Sequence, residues 1–439
     1  MPRATLSLEF VTPCFLGGSD NHSLAEWRAP SVRGQLRWWY RALAGAQKDG
    51  DLDKVRAGET ALFGSTERTS PLRVRASGQP AVVAAGGPCE YGRPLGAAEL
   101  AREWLGPSAS DEALRQQVED RLRLERNGKI IRSNPVHYLG YGCITYDKGS
   151  ALFTHARIEP GGQADITLMW PGLQALAQEF KLLEASLWAW LNLGGIGAKS
   201  RRGFGSLRCL RAAGNPDGGP NYAPANVAAF KAEAQRWLEP LHKGNGLPEW
   251  SHFSAKTRIL IATTGSRAQL DRTGKTAGTS RPGWDTVLEC AGSWFIGFRR
   301  RYGISRDERA QLRERDYEWA APNGHKHEQG IPDRGGFGLP LPFDKRIVTW
   351  RRAAQGGSEP SRAELDADNR RASPLLLHVA RLGDEWFPVF TYIPSRLIPA
   401  GAKLAFKSKA VERDVAEQQQ VVTRFLDDLA AKKLVEDVL

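Results

Sequence analysis

Apolar and polar positions alternate from Ala4 to Val11 (ATLSLEFV) and the pattern stops at Thr12-Pro13, as in a strand half-buried in a sheet. The period then changes. Leu36, Trp39, Tyr40 and Leu43 recur at i, i+3, i+4, i+7, which predicts a helix over Ser31–Ala44 with Ser31 after Pro30 as its N-cap. A Pro160-Gly161-Gly162 turn leads into a strand through Ile166 and Leu168 within Arg157–Trp170. Leu173–Leu193 reads as a long apolar helix, and Gly203–Leu210 (GFGSLRCL) as a closing strand. The order strand, helix, β-rich middle, helix, strand suits a ferredoxin-like α+β sandwich.

The second half repeats this outline. Arg258–Thr263 (RILIAT) reads as a strand, Gly292–Tyr302 as a helix, and Ser373–Ala380 and Trp386–Ile393 as two later strands. The last ~25 residues read as a charged amphipathic helix with Val415, Val422, Leu426 and Leu429 on one side. Between the halves, Ala212–Asn226 (AAGNPDGGPNYAPAN) has the composition of a linker. The predicted division is 1–215 for a first domain with a glycine-rich loop, 216–250 for a linker and connecting helix, and 251–439 for a second domain. Two copies of one fold are the simplest account, with Arg202-Gly-Phe-Gly-Ser-Leu echoed by Gly335-Gly-Phe-Gly-Leu-Pro.

Charge narrows the function. Among 439 residues, 61 are Lys or Arg and 49 Asp or Glu, a net +12 that points to an anionic partner. Each half carries an excess of six, which argues against a single basic tail. The 41% hydrophobic content excludes a disordered or collagen-like chain. No stretch approaches the ~18 apolar residues of a membrane span, and the N-terminus runs straight into a strand pattern, so a cytoplasmic protein is expected. Five scattered cysteines without a CxxC pair suggest buried, reduced thiols, with neither a disulfide framework nor a zinc site.

The strongest local feature is Asn192–Leu207 (NLGGIGAKSRRGFGSL), where glycines allow close backbone approach and Lys199, Arg201 and Arg202 supply charge for phosphates. It follows a helix and precedes a strand, so it is neither a dinucleotide fingerprint nor a P-loop. On the predicted first helix, Arg33, Arg37 and Arg41 fall at i, i+4, i+8 as a basic stripe, near Arg28, with Trp38 turned to the opposite side. Aromatic residues interleave with cations again at Trp294–Tyr302, around Arg299 and Arg300, and at Phe337 beside Arg334. No hydrolase or paired-carboxylate signature occurs, and His325-x-His327 lacks matching ligands, so no metal or cofactor is expected. A metal-free ribonuclease would need a general base near the basic cleft, and His22 and His155 are the candidates.

Taken together, GGIGAKSRRGFGS after a helix, RAPSVRGQLRWWYRAL, ALFGS at 61–65, HYLGYG at 137–142 and RRASPLLL at 370–377 resemble the RAMP superfamily of CRISPR proteins. Within it, they are most similar to the family of first subunits of the type III-B (Cmr) effector complex. The resemblance implies two ferredoxin-like (RRM-like) domains and a non-catalytic place in a ribonucleoprotein. It implies contact with crRNA, with single-stranded target RNA near the 3′ end of the guide, and with other Cmr subunits. The candidate RNA-contacting set is then Arg28, Arg33, Arg37, Trp38, Arg41, Gly195, Gly197, Lys199, Ser200, Arg201, Arg202, Phe204, Arg299, Arg300, Arg334 and Arg371. A RAMP endoribonuclease that processes CRISPR RNA, using His22 or His155, is the alternative.

Overall fold

The computed structural model describes residues 3–123, 125–126, 129–130, 132–147, 149–171, 176–214, 218–244, 246–263, 283–301, 337, 341–343, 346–351, 372–396, 403–406, 409–411 and 420–439. The chain begins with β1 (Arg3–Phe10), α1 (Ala29–Gln47), α2 (Leu52–Phe63) and β2 (Arg73–Ser77). An excursion follows with α3 (Ala97–Leu105), α4 (Glu112–Leu122), α5 (Pro135–Gly140) and the hairpin β3 (Ile144–Asp147) and β4 (Ser150–Phe153). The chain returns through β5 (Gln163–Met169), α6 (Ala177–Leu193) and β6 (Leu207–Ala213). The remainder holds α7 (Val227–Leu238), β7 (Arg258–Ala262), α8 (Gly283–Arg301), β8 (Leu375–Leu382), β9 (Glu385–Tyr392), α9 (Gln420–Ala431) and β10 (Val435–Asp437). A separate four-stranded sheet is formed by 341–343, 346–351, 403–406 and 409–411.

Two antiparallel sheets share one topology. The first has the order β6-β1-β5-β2, and the second β8-β9-β7-β10. With the four strands of each sheet numbered along the chain, the first reads 4-1-3-2 and the second reads 2-3-1-4, the same order from the other edge. Among the described residues, α1 and α2 lie in the chain between the first and second strands of the first sheet and α6 between its third and fourth, while α8 and α9 take the corresponding places in the second. The tight β8–β9 turn pairs Leu382 with Glu385, and Gly383 takes φ +63° there, a left-handed conformation that glycine adopts without steric cost.

Local pattern accounts for these elements. Ala4, Leu6, Leu8 and Phe10 of β1 all face inward, as do Ala164, Ile166 and Leu168 of β5. The predicted α1 face, Leu36, Trp39, Tyr40 and Leu43, is buried. The helix starts earlier than predicted, because Pro30 fits its first turn; Arg28 is the N-cap position and Ser31 is already helical. At the C-terminus, the single long helix expected over the last ~25 residues is instead α9 followed by β10, which pairs with β7 at the second sheet's edge and buries Val435; Val415 lies outside the described residues. The middle of the first half, expected to be β-rich, also contains helices α3, α4 and α5.

The second sheet is buried on both faces, which explains its near-continuous apolar strands. Ile259, Ile261, Leu376, Ala380, Phe387 and Val389 join the core built around β1, α1 and α6. Leu260, Leu375, Leu377, Val379 and Phe390 face a second core shared with α8, α9 and the excursion's α3 and α5. Each core therefore draws on both halves of the chain. All five cysteines are buried and free, and burial raises the Cys14, Cys89, Cys143, Cys209 and Cys290 thiols above their ordinary pKa. Among the described residues, no helix is long and apolar enough to cross a membrane.

The Arg334–Pro340 echo of the glycine loop occupies a different station. The loop at 194–206 lies between α6 and β6, before a fourth strand, whereas 334–340 lies between α8 and β8, before a second strand. Of that segment only Phe337 is described, and it is buried against Phe295, Phe298 and Phe425.

Candidate nucleic-acid interface

The glycine loop leaves α6 at Gly194, turns at Lys199 in the left-handed region (φ 60°), makes one short 3-10 turn over Ser200–Arg202, and enters β6. Much of its backbone is bonded to protein: Ile196 N–H donates to Gly205 O (3.0 Å), Ala198 N–H to Phe15 O (2.8 Å) and Gly205 N–H to Pro13 O (2.9 Å). Its glycines serve packing. At Gly205 (φ 65°) a β-carbon would overlap the Ile196 carbonyl oxygen, and at Gly203 (φ 86°) it would lie 2.5 Å from Leu288 Cδ2 of α8.

These bonds reassign several candidates. Gly195 is buried, and a β-carbon there would meet Gly205 O at 3.0 Å, so the loop's own returning backbone packs against it. At Gly197 a β-carbon would meet Phe15 O at 2.6 Å. Phe204, expected to touch RNA, is fully buried with its ring centroid 5.4 Å from that of Phe15; it is a core residue because the loop folds inward after Gly203.

The loop's cations divide by direction. Arg201 donates to the Ser373 carbonyl just before β8, and its guanidinium lies 4.9 Å over the Trp38 ring. Arg202 lies 5.2 Å over the Phe295 ring of α8, and burial lowers its pKa, with Tyr138 and Arg299 as opposing smaller influences. These two arginines tie the loop to the second half. Lys199 turns the other way: its ammonium lies 3.4 Å from the position a β-carbon on Gly142 would take. Ser200 sits half-buried between them.

The α1 stripe is real in spacing but partly neutralised. Arg33 donates to the Phe63 and Leu72 carbonyls, capping the end of α2, and burial followed by the neighbouring Arg37 charge lowers its pKa. Arg37 pairs with Glu59 at 2.6 Å and Arg41 reaches the same buried carboxylate at 4.0 Å. Arg28 is exposed, with Glu26 3.8 Å away. Trp38 is half-buried, edge-on to Trp39 at 5.0 Å and covered by Arg201, so the loop and the arginine helix meet at this ring.

The two candidate histidines converge. The His22 and His155 ring centroids are 6.4 Å apart. The Thr154 hydroxyl donates to Gly142 O and therefore accepts from His155 Nδ1–H at 2.8 Å, which leaves Nε2 with its lone pair. Burial lowers the His155 pKa first, and the His22 and Lys199 charges lower it further.

In the second half, Arg299 donates to the Tyr138 hydroxyl and lies 5.6 Å over that ring, bound within the protein. Of Arg300 only the helical backbone is described, and Arg334, Arg371, His325 and His327 lie outside the described residues. Among the described residues, no three His, Cys, Asp or Glu side chains converge as a metal-binding group. Charge patterning passed over two exposed rings: Tyr141, 72% exposed, precedes the Gly142 that Lys199 lies against, and Tyr146, 60% exposed, lies against His137. Tyr141 lies in HYLGYG, where an aromatic residue next to a glycine with positive φ (Gly142, 97°) was the available sign of a surface turn.

A model of the RAMP superfamily matches residues 7–208. The CRISPR system Cmr subunit Cmr1-2 of Pyrococcus furiosus is 31% identical over 214 residues, which are 47% of this chain and 95% of that protein. The Cmr1-1 subunit of the same organism is 28% identical over 205 residues, and the match spans 47% of each, so the chain covers about half of that relative's length. The crystal structure of apo Cmr1 from Pyrococcus furiosus shares 20% identity at a TM-score of 0.44, covering 100% of this chain and 99% of that one. A cryo-EM structure of the Type III-B Cmr-beta bound to cognate target RNA contains a chain with 13% identity and a TM-score of 0.44, covering 98% of this chain and 99% of that one.

Proposed function

This chain belongs to the RAMP superfamily and has Cmr1-type CRISPR subunits as relatives, and on that premise we propose that it is an RNA-binding subunit of a type III-B (Cmr) effector complex. In this reading it contributes no chemistry of its own, works as a cytoplasmic ribonucleoprotein component, and holds target RNA near the 3′ end of the crRNA beside other Cmr subunits. Its two halves, 1–215 and 251–439 joined by 216–250, are ferredoxin-like units; the shared strand order of the two sheets supports this.

The observation that carries the reading is the junction at Trp38, where Arg201 of the glycine loop stacks on a ring of α1, the helix that also bears Arg37 and Arg41. It joins the loop that carries Lys199 to the helix that carries Arg37, Arg41 and the half-buried Trp38, and this supports a reading in which loop and helix together take an extended sugar-phosphate strand. Guide-target pairing supplies sequence, and this surface supplies charge and shape. The test is the salt dependence of single-stranded RNA binding by the full chain. Lys199→Ala is expected to weaken binding and make the log–log slope shallower by about 0.7. RNA affinity unchanged by Lys199→Ala and independent of salt would favour a scaffold that touches protein only.

A second reading, a metal-free endoribonuclease, draws support from the His22–His155 pair beside Lys199. A neutral His155 with Nε2 available suits a general base, and Lys199 suits a developing phosphorane charge. Repeat RNA incubated with the protein and a chelator separates the two readings. Single-site cleavage abolished by His22→Ala or His155→Ala would establish the enzyme; intact RNA would leave the binding role.

A further inference from the structure

We propose that Tyr141 and Tyr146 form a stacking ledge for unpaired bases of the RNA strand whose phosphates meet Lys199. The inference rests on the RNA-binding reading and deepens it by naming what the strand presents there: the flat face of a splayed-out base.

Burial is the rule for the rings among the described residues. Trp39, Trp104, Trp188, Trp190, Trp294, Phe10 and Phe204 are almost wholly enclosed. Among the described residues, Tyr141 and Tyr146 are the two aromatic side chains that stand out as largely exposed, and both fall on one six-residue stretch. A tyrosine ring left in water forgoes the stabilisation that burial would bring, so two together mark a surface built to be covered.

The stretch is held firmly. Tyr141 is bridged to Ile144, Thr154 bonds to Gly142 O, and Ile144 and Cys143 are buried beneath it. The Tyr146 hydroxyl lies 2.6 Å from Nδ1 of the buried His137. Burial lowers the His137 pKa, so its imidazole is neutral and Nδ1 accepts a hydrogen bond from the Tyr146 hydroxyl, while Nε2–H faces Cys89 Sγ at 3.6 Å. His137 is fixed in turn by the Asn134 side chain, which accepts from its backbone N–H at 3.2 Å. The Tyr146 ring thus keeps an exposed face while its tip is anchored, and it gives up little further freedom when a base stacks on it.

Charge places the occupant. Lys199 lies against Gly142, the chain neighbour of Tyr141, and its charge reaches His155. A cation next to exposed rings matches one phosphate and its neighbouring bases, and a stacking face accepts any base. An apolar peptide would cover the rings but would gain nothing from Lys199.

The experiment uses the full chain and a single-stranded RNA oligonucleotide carrying 2-aminopurine, whose emission falls on stacking. Wild type is expected to quench the probe. Tyr141→Ala and Tyr146→Ala are each expected to abolish much of the quenching and weaken binding about tenfold, with an unchanged salt slope. Tyr141→Phe keeps the ring and is expected to behave as wild type, whereas Tyr146→Phe loses the anchor and falls between. Lys199→Ala gives the opposite signature, a shallower slope with quenching retained at saturation. If both alanine variants bind and quench as wild type while Lys199→Ala weakens binding, the ledge is wrong and the RNA reading stands. If wild type binds no RNA, both fall.

Discussion

His378 on β8 donates its Nδ1–H to the carbonyl oxygen of Gly194 at 2.6 Å, joining the second sheet to the start of the glycine loop. His378 is 1% exposed, so both groups are satisfied inside the protein and away from water. Val379 N–H donates to the Ser206 hydroxyl one residue further along the strand, and Arg201 reaches Ser373 before it. The loop expected to cradle phosphates is therefore first a clasp between the halves. Of its three cations, Lys199 is the one that points toward the His22–His155 side.

The buried His378 predicts a pH dependence. Burial lowers its pKa from 6.5 to about 4, so the folded state binds fewer protons than the unfolded chain between those values. Its contribution is fully present above pH ~6.5 and is lost as pH falls toward 4. Wild-type unfolding free energy is expected to fall with acidification more steeply than that of His378→Gln, by up to one proton's slope. Parallel curves for the two proteins in denaturant titrations from pH 7 to 4.5 would refute this.

Two loop glycines should differ in their tolerance of a methyl group. Gly205→Ala places a β-carbon against the rigid Ile196 carbonyl, whereas Gly203→Ala meets the tip of Leu288, which can move. Both positions have positive φ. The expected losses are about 3 kcal/mol for Gly205→Ala and about 1–2 kcal/mol for Gly203→Ala. Equilibrium urea unfolding reads the order directly.

Phe204→Ala should behave as a core mutation. A fully buried phenylalanine truncated to alanine costs about 3–5 kcal/mol, so the midpoint of unfolding should drop sharply. Affinity for RNA, measured below the new midpoint, should be unchanged. A specific affinity loss at wild-type stability would restore this ring to the interface.

Glu59 restrains the α1 stripe. Replacing it by glutamine removes the carboxylate shared by Arg37 and Arg41, so RNA affinity should rise and the salt slope steepen by about 0.7 for each additional phosphate engaged. Binding titrations at several salt concentrations check this; weaker binding at unchanged stability would place the two arginines away from the strand.

Periodicity alone determined a good deal of this protein. The inward faces of β1 and α1 follow from side-chain spacing, because burial on a strand or helix repeats with the backbone's own geometry, while the strands at 258, 375 and 385 were legible as short apolar runs. The family was legible too, in motifs of a few residues. What tertiary structure decided was the use of each group. Arg33, Arg37, Arg201 and Arg202 look alike along the chain, yet their partners are Phe63, Glu59, Ser373 and Phe295, brought in by folding. Phe204 and Tyr141 are both aromatic neighbours of glycine, and only the direction of the chain sends one inward and the other out. Local spacing records which face an element turns to the core; whether a cation or a ring stays available to a ligand depends on long-range contacts that spacing does not encode.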